Sequence, residues 1–174
     1  MIYEPQEDSF LLQKYAKKYA KGKVLDMGSG SGIQAEAALT KTNDVLAVDI
    51  NEKAVTLLKN KGIKTKYSDL FSNVSGKFDL IIFNPPYLPE EDYEGTKTKN
   101  VTTGGKEGYE LLLKFLIESK KYLKENGKIL IIFSSLTNKK IIDKTLEKLN
   151  YKFNCLETKR LFFEEIYVYL IENG

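Results

Sequence analysis

The 174-residue sequence predicts an α/β fold, a doubly wound and mostly parallel seven-stranded sheet with helices on both faces. Short apolar runs typical of buried strands alternate with stretches of helical periodicity. Polar or glycine-rich loops follow these strands, and no repeat or linker divides the chain. The length suits a single domain with one substantial core.

Composition narrows the class of protein. Hydrophobic residues make up 42% and charged residues 29%, which is typical of globular proteins, and no apolar stretch is long enough to span a membrane. The first residues lack a secretory signal and a single cysteine cannot form an internal disulfide, so we expect a cytoplasmic protein. Without histidine, Cys155 leaves no nitrogen–sulfur zinc site, and we predict no metal. The net charge of +3 does not indicate a dedicated nucleic-acid binder.

The chain opens with a short polar arm, residues 1–9, in front of a helix. Asp8 or Ser9 is well placed to cap this helix. Apolar residues follow at helical spacing, namely Leu11 or Leu12, Tyr15 and Tyr19. The acidic side chains of the arm either serve the cap alone or face a cationic ligand.

A glycine-rich loop follows the first predicted strand, Lys23–Met27, and precedes a helix over Ile33–Leu39. This order is typical of a nucleotide-binding βαβ unit, although a glycine loop alone is weak support. Gly28 and Gly30 would let the backbone approach a ligand. Gly32 would allow the helix to pack closely on the strand.

Asp49 ends the second predicted strand, residues 44–48, at the position where an acid commonly binds a ribose diol about twenty residues beyond such a loop. Alternatively, Asp49 caps the helix predicted over residues 51–59, or it serves neither role. Ile50 follows directly and could pack on an adenine face.

The third predicted strand, residues 63–67, alternates apolar residues with lysines and closes at Asp69-Leu70. The βαβ order places this strand at the edge of the sheet. The lysines suit an exposed edge, and the same edge could accept a strand from a partner.

The segment FDLIIFNPPY, residues 78–87, predicts a buried strand that stops at Asn84, because Pro85 and Pro86 cannot donate ladder hydrogen bonds. The prolines restrict the backbone, so the Asn84 side chain and the carbonyls of Asn84 and Pro85 are held in one arrangement, with the Tyr87 ring beside them. An amide oxygen and a fixed carbonyl can accept both N–H bonds of one planar NH₂ group. The corner therefore either orients an amide or aryl-amine nitrogen for reaction, or is a simple strand-terminating turn.

A polar stretch, residues 88–108, follows the corner, and its Gly104-Gly105 pair predicts a tight turn that closes over substrate. The next apolar periodicity predicts a helix that carries Leu112 and Leu123 and ends at Asn126-Gly127. The remaining elements are strands at residues 129–133, 151–156 and 165–171 and a helix that carries Ile142, Leu146 and Leu149.

Seven segments spread over nearly the whole chain resemble those of class I methyltransferases that use S-adenosylmethionine, and more narrowly the HemK family of protein-glutamine N5-methyltransferases. They are YEPQEDSFLL, DMGSGSG, DI, SDLF, NPPY, GGKEG and EEIYV. The resemblance implies S-adenosylmethionine as cofactor, and it implies contacts to the cofactor from Ser9, Asp26, Gly28, Asp49, Asp69, Leu70 and Asn84. Residues 84–87, Asn-Pro-Pro-Tyr, would hold the acceptor glutamine of the Gly-Gly-Gln motif of a translation release factor.

The chain begins at the short arm, without the extra helical domain of bacterial members, and is similar to the compact archaeal and eukaryotic branch. Members of that branch work with a small zinc-binding activator protein, so the resemblance implies such a partner, which we expect along the edge strand at residues 63–67. Lys106-Glu107 stands where many relatives carry an aspartate, which bears on closure of the loop.

Three other functions remain open at this point. An exocyclic adenine NH₂ group of RNA or DNA would fit the same corner, although such enzymes usually carry more nucleic-acid-binding surface. Compact members of the family also methylate lysine. A non-catalytic cofactor-binding subunit is the third alternative, and the intact NPPY segment argues against it.

Overall fold

A computed structural model of the protein describes residue 2, residues 4–86 and residues 108–174. The described helices are α1 (Glu7–Tyr19), α2 (Ile33–Leu39), α3 (Glu52–Asn60), α4 (Glu110–Ser119) and α5 (Lys139–Lys148). The strands are β1 (Lys23–Met27), β2 (Asp44–Asp49), β3 (Thr65–Tyr67), β4 (Phe78–Phe83), β5 (Leu123–Ser134), β6 (Tyr151–Arg160) and β7 (Glu165–Asn173). None of the described helices is long and apolar enough to cross a membrane.

The strands form one seven-stranded sheet in the order β3-β2-β1-β4-β5-β7-β6. Strands β1 to β5 run parallel to their neighbours, whereas β7 is antiparallel to both β5 and β6. The chain order reverses between β1 and β4, so the carboxyl ends of these two strands flank the crevice in which such sheets bind ligands. The predicted mostly parallel α/β sheet is confirmed, with β3 at one edge.

Both faces of the sheet are covered by helices. Leu25, Ile81 and Ile131 belong to one buried cluster together with side chains of α4 and α5. Val24 and Leu80 face the opposite way and pack in a second cluster with side chains of α1 and α2. The central strands are apolar on both sides because each face needs its own core, which explains the continuous apolar run in β4.

The start of α1 corrects the predicted arm and cap. The helix begins at Glu7 with Gln6 in the N-cap position, so the arm is shorter than residues 1–9. Asp8 and Ser9 lie within the first turn and are buried, and the backbone N–H of Ser9 donates to Asp8 Oδ1 at 2.6 Å. Neither residue is the N-cap, because both lie inside the helix and the flanking extended residue is Gln6.

The predicted helix through Leu123 to Asn126-Gly127 is also wrong in its second half. Helix α4 ends at Ser119, and Leu123 begins β5, where it pairs with Phe78 of β4. Gly127 lies inside β5 at a shift in register, where an added Cβ would stand 2.7 Å from the Phe78 carbonyl oxygen. The glycine is needed for this close approach of two strands and does not terminate a helix.

Candidate active site

Three loops meet at the carboxyl ends of adjacent strands. Met27 of β1 pairs with Val48 of β2 on one side and with Phe83 of β4 on the other. The loops that follow these strands therefore begin about 4.8 Å apart, the spacing between neighbouring strands. We call residues 28–32 the glycine loop and residues 84–86 the acceptor corner.

The glycine loop has room for a ligand at one of its glycines. Gly28, Gly30 and Gly32 have positive φ angles of 62°, 52° and 89°. An added Cβ at Gly30 would meet nothing nearer than the loop's own backbone at 4.0 Å, whereas at Gly32 it would stand 2.5 Å from Leu58 Cδ2. Gly32 thus permits close packing as predicted, but its neighbour is helix α3 and not the strand. The open space beside Gly30 fits the close approach of a nucleotide-like cofactor.

Asp49 holds the glycine loop in place. Its Oδ2 accepts a hydrogen bond from Gly30 N at 2.8 Å, and its Oδ1 accepts one from Asn51 N at 2.7 Å. The N-cap of α3 is Asn51, whose side chain accepts from Lys53 N, so the capping alternative for Asp49 is wrong. Each carboxylate oxygen has further acceptor capacity, which leaves Asp49 able to bind a ribose hydroxyl.

An exposed apolar residue, Ile50, and a strained residue, Leu70, lie near Asp49. Ile50 is 52% exposed, unusual for a large aliphatic side chain at the end of a buried strand. Leu70 has a positive φ of 44°, and Ser68 Oγ donates to the Leu70 carbonyl at 2.7 Å and so helps to hold this conformation. A non-glycine residue in this region is strained, and such strain is commonly kept where it shapes a binding site. Asp69 is exposed next to it.

Asp26 is buried beneath the glycine loop. Its Oδ2 accepts from Ser29 Oγ at 2.6 Å and from Ala35 N at 3.0 Å, which joins the loop to the first turn of α2. Burial raises the pKa of Asp26 to about 7, and the nearby charge of Asp49 adds to the rise, against the two hydrogen bonds. These contacts make Asp26 a clamp on the loop, and its predicted contact to a cofactor stays a prediction.

The Asn84 side chain is held by residues far away in sequence. Its Nδ2 donates to Asp8 Oδ2 at 3.0 Å and lies 3.5 Å from Ser9 Oγ. Because both partners are acceptors on α1, the amide is fixed with its nitrogen toward α1 and its Oδ1 turned away from it. Pro85, the next residue, is buried, and no cis peptide bond occurs in the described part of the chain.

Sequence reasoning missed two residues of this arrangement. The sequence presents Asp8 only as a candidate cap or as one of several acids, because its contact with Asn84 depends on the packing of α1. Gln34, in α2, donates from Nε2 to the Ser9 carbonyl at 2.9 Å. The one available signal was a polar residue in the alanine-rich helix IQAEAAL. Tyr87, Gly104-Gly105 and Lys106-Glu107 lie outside the described residues, so the predictions for them stand as made.

A mostly parallel sheet with this strand order, a glycine loop after β1 and an acid after β2 is the architecture of class I methyltransferases. The Asn-Pro-Pro corner follows β4 at the same edge of the sheet. A family model described as the methyltransferase small domain matches residues 7–162. The chain belongs to this family, and membership implies S-adenosylmethionine as the methyl donor.

Individual relatives agree with this assignment. A protein of Methanocaldococcus jannaschii, provisionally named a protein N5-glutamine methyltransferase, is 40% identical, with 96% of this chain and 89% of that protein covered. A release factor glutamine methyltransferase of Aquifex aeolicus is 34% identical over 76% of this chain. The aligned part is 53% of that protein, so this chain spans about half the length of the bacterial relative.

A solved structure shows the same fold over the full length. It is the Mtq2–Trm112 complex of E. cuniculi, responsible for the methylation of the eRF1 translation termination factor. The TM-score is 0.82 at 23% sequence identity, with 99% of both chains covered. This match confirms the fold, and the family model together with the archaeal relative confirms the resemblance drawn from the sequence motifs.

Proposed function

We propose that this protein transfers a methyl group from S-adenosylmethionine to the side-chain amide nitrogen of a glutamine, in the Gly-Gly-Gln motif of a translation release factor. The observation that carries the proposal is the orientation of Asn84. Its Nδ2 is bound to Asp8 Oδ2, and its Oδ1 is free to face the substrate group that receives the methyl. A hydrogen-bond acceptor in this position suits an NH₂ group.

The residues of the glycine loop and its neighbours would hold the cofactor. Gly28 and Gly30 would admit it close to the backbone, Asp49 would bind the ribose hydroxyls, and Ile50 would pack on the adenine. The exposed Asp69 and the strained Leu70 would bound the same pocket on its other side. When bound, S-adenosylmethionine supplies an electrophilic methyl group on its sulfonium sulfur.

The acceptor corner would position the nucleophile. An amide nitrogen is a poor nucleophile because its lone pair is delocalised into the carbonyl group. Asn84 Oδ1 and the Pro85 carbonyl would accept its two N–H bonds, and Tyr87 would pack on the amide plane. Hydrogen bonds that strengthen as the nitrogen becomes positive stabilise the transition state, and the proton then leaves to water.

The relatives support the choice of acceptor. Both a near full-length archaeal relative and a bacterial one carry names for methylation of glutamine, and the bacterial name specifies a release factor. Adenine or lysine as the methyl acceptor would use the same corner. The experiment must therefore distinguish glutamine from these two acceptors.

The experiment is mass spectrometry of a release factor after incubation with the protein and S-adenosylmethionine, with and without a candidate activator. We expect one methyl group on the glutamine of Gly-Gly-Gln, lost with Asn84→Ala and retained with Asn60→Ala, an exposed asparagine at the end of α3. If the glutamine stays unmodified and methylated lysine or adenine is found in a cell extract, the proposed acceptor is wrong, whereas the assignment of the fold still holds.

A small zinc-binding activator would dock on the edge strand β3. Ala47 N of β2 donates to the Lys64 carbonyl. Backbone N–H groups alternate in direction along a strand, so those of Thr65 and Tyr67 point away from β2, to the outer edge of the sheet. The Tyr67 side chain is half exposed there. Thr65→Pro should abolish co-purification with the activator without removing a hydrogen bond to β2, and Thr65→Val is the matched control. Unchanged co-purification of Thr65→Pro would exclude β3 as the docking strand.

A further inference from the structure

Gln34 is a polar residue buried between α1 and α2. The residue is 3% exposed, and its Nε2 donates to the Ser9 carbonyl oxygen at 2.9 Å. Among the described residues, Gln34 Oε1 is buried and makes no hydrogen bond. Only the nitrogen of the side-chain amide can donate to the Ser9 carbonyl, so the orientation of the amide is fixed. Rotating the amide to bring the oxygen to another partner would break this hydrogen bond.

Such an arrangement lowers the stability of the fold. A buried acceptor without a partner carries its full desolvation cost, and the Ser9 carbonyl, in the first turn of α1, can be satisfied within the helix alone. An apolar side chain of the same length would suit a buried position between α1 and α2, whose other buried residues include Leu12 and Ala35. Residues that break a local rule in this way are commonly found where function requires them.

The contacts of Gln34 connect the two halves of the candidate site. The next residue, Ala35, donates its N–H to Asp26 Oδ2, which also binds Ser29 of the glycine loop. On the other side, Ser9 lies in the turn of α1 that holds the Asn84 amide through Asp8. Hydrogen bonds at Ser29, Ala35, Gln34 and Asn84, joined by the backbone of the first turns of α2 and α1, therefore connect the glycine loop to the acceptor corner.

We propose that Gln34 is a positioning residue that couples the glycine loop to the acceptor corner through the first turn of α1. The inference rests on the proposed function for its consequence in catalysis, but the coupling itself is a property of the free protein. A ligand that fixes the glycine loop and the start of α2 also fixes Asp8, and hence the direction of Asn84 Oδ1. By linkage, an acceptor that binds Asn84 strengthens the binding of the cofactor by the same factor.

The test replaces Gln34 by methionine, which keeps the length and volume of the side chain and removes both polar atoms. Leu12→Met is the matched control, since Leu12 is fully buried at the same helix interface. Hydrogen exchange of the backbone amides in residues 7–13 is measured in the free protein, together with the thermal midpoint. We expect Gln34→Met to speed exchange in these residues about three- to tenfold, which corresponds to the loss of one hydrogen bond, with the midpoint unchanged or raised. Leu12→Met should leave the exchange in these residues as in the wild type.

Binding and turnover then test the coupling itself. We expect Gln34→Met to lower kcat on the release factor about three- to tenfold, with the Kd of S-adenosylhomocysteine in the absence of acceptor within twofold of the wild type. S-adenosylhomocysteine should slow exchange in residues 7–13 of the wild type and fail to do so in Gln34→Met.

Two outcomes would overturn the proposal. Exchange in residues 7–13 that is the same in wild type and Gln34→Met would show that Gln34 does not hold the turn. A lowered thermal midpoint with exchange accelerated evenly over the whole chain would make Gln34 an ordinary packing residue. Failure of the proposed function would appear separately, as wild-type protein that leaves the release factor unmodified, and the exchange in the free protein would still decide the role of Gln34.

Discussion

The hydrogen bond between Asp8 and Asn84 offers the sharpest test of how the acceptor corner works. Asp8 is 4% exposed, and its Oδ2 accepts from Asn84 Nδ2 at 3.0 Å. A hydrogen bond to a charged group contributes about 1.5–3 kcal/mol, against about 0.5–1.5 kcal/mol for a neutral pair. Asp8→Asn keeps an acceptor oxygen but removes the charge, so it should cost about 1–1.5 kcal/mol of the energy that orients Asn84. We expect kcat to fall roughly tenfold.

Single-turnover methylation of the release factor measures this loss, and calorimetry with S-adenosylhomocysteine measures cofactor affinity, which we expect to change less than about twofold since Asp8 does not lie on the glycine loop. Glu7→Gln is the matched control, because Glu7 is the preceding acid of α1 and forms an exposed ion pair with Lys159. That control should retain wild-type turnover.

An exchanged pair then separates orientation from any other effect. Asn84→Asp alone would place a second carboxylate beside that of Asp8, and repulsion would turn its side chain away. The double variant Asp8→Asn, Asn84→Asp restores a donor and an acceptor across the same gap. We expect it to be at least about fivefold more active than Asn84→Asp, as a coupling in a double-mutant cycle. Strictly additive losses in the two single variants would refute the reasoning, because they would show that Asp8 does not act through Asn84.

Three further predictions concern the cofactor half of the site. Because burial raises the pKa of Asp26 to about 7, its folded form binds the proton more tightly than the unfolded chain, so the free energy of unfolding should fall as the pH rises from about 4 through 7. Asp26→Asn should remove this slope in urea unfolding measured across that range. Gly32→Ala should lower the free energy of unfolding by about 1–3 kcal/mol, because the added methyl group would clash with Leu58. Gly30→Ala should lower the free energy of unfolding by only about 1 kcal/mol, but it should weaken S-adenosylhomocysteine binding more than Gly32→Ala does. Ile50→Ser should weaken the same binding with unfolding changed by less than about 0.5 kcal/mol, since the side chain is half exposed.

Local patterns in the sequence were enough to predict the elements at the centre of the sheet. Strand β1, helix α2 and strand β4 lie where apolar runs, glycine and proline predicted them. They succeed because a buried strand, a glycine loop and a proline stop each depend on a few neighbouring residues. The same patterns were misleading at Leu123, whose helical spacing continues that of α4. There, pairing with Phe78 across the sheet outweighed the local preference.

The sequence by itself determined that a glycine loop, an acid and an Asn-Pro-Pro corner would share the carboxyl edge of a parallel sheet, because the direction of each strand follows from the alternation of strands and helices. Only the tertiary structure decided which way the Asn84 amide faces. That choice depends on Asp8, 76 residues away in the chain, and the turn that carries Asp8 is tied in turn to Gln34, 25 residues beyond Ser9. Contacts at such separations arise from the packing of α1 against α2 and the sheet, and no local preference of the chain encodes them.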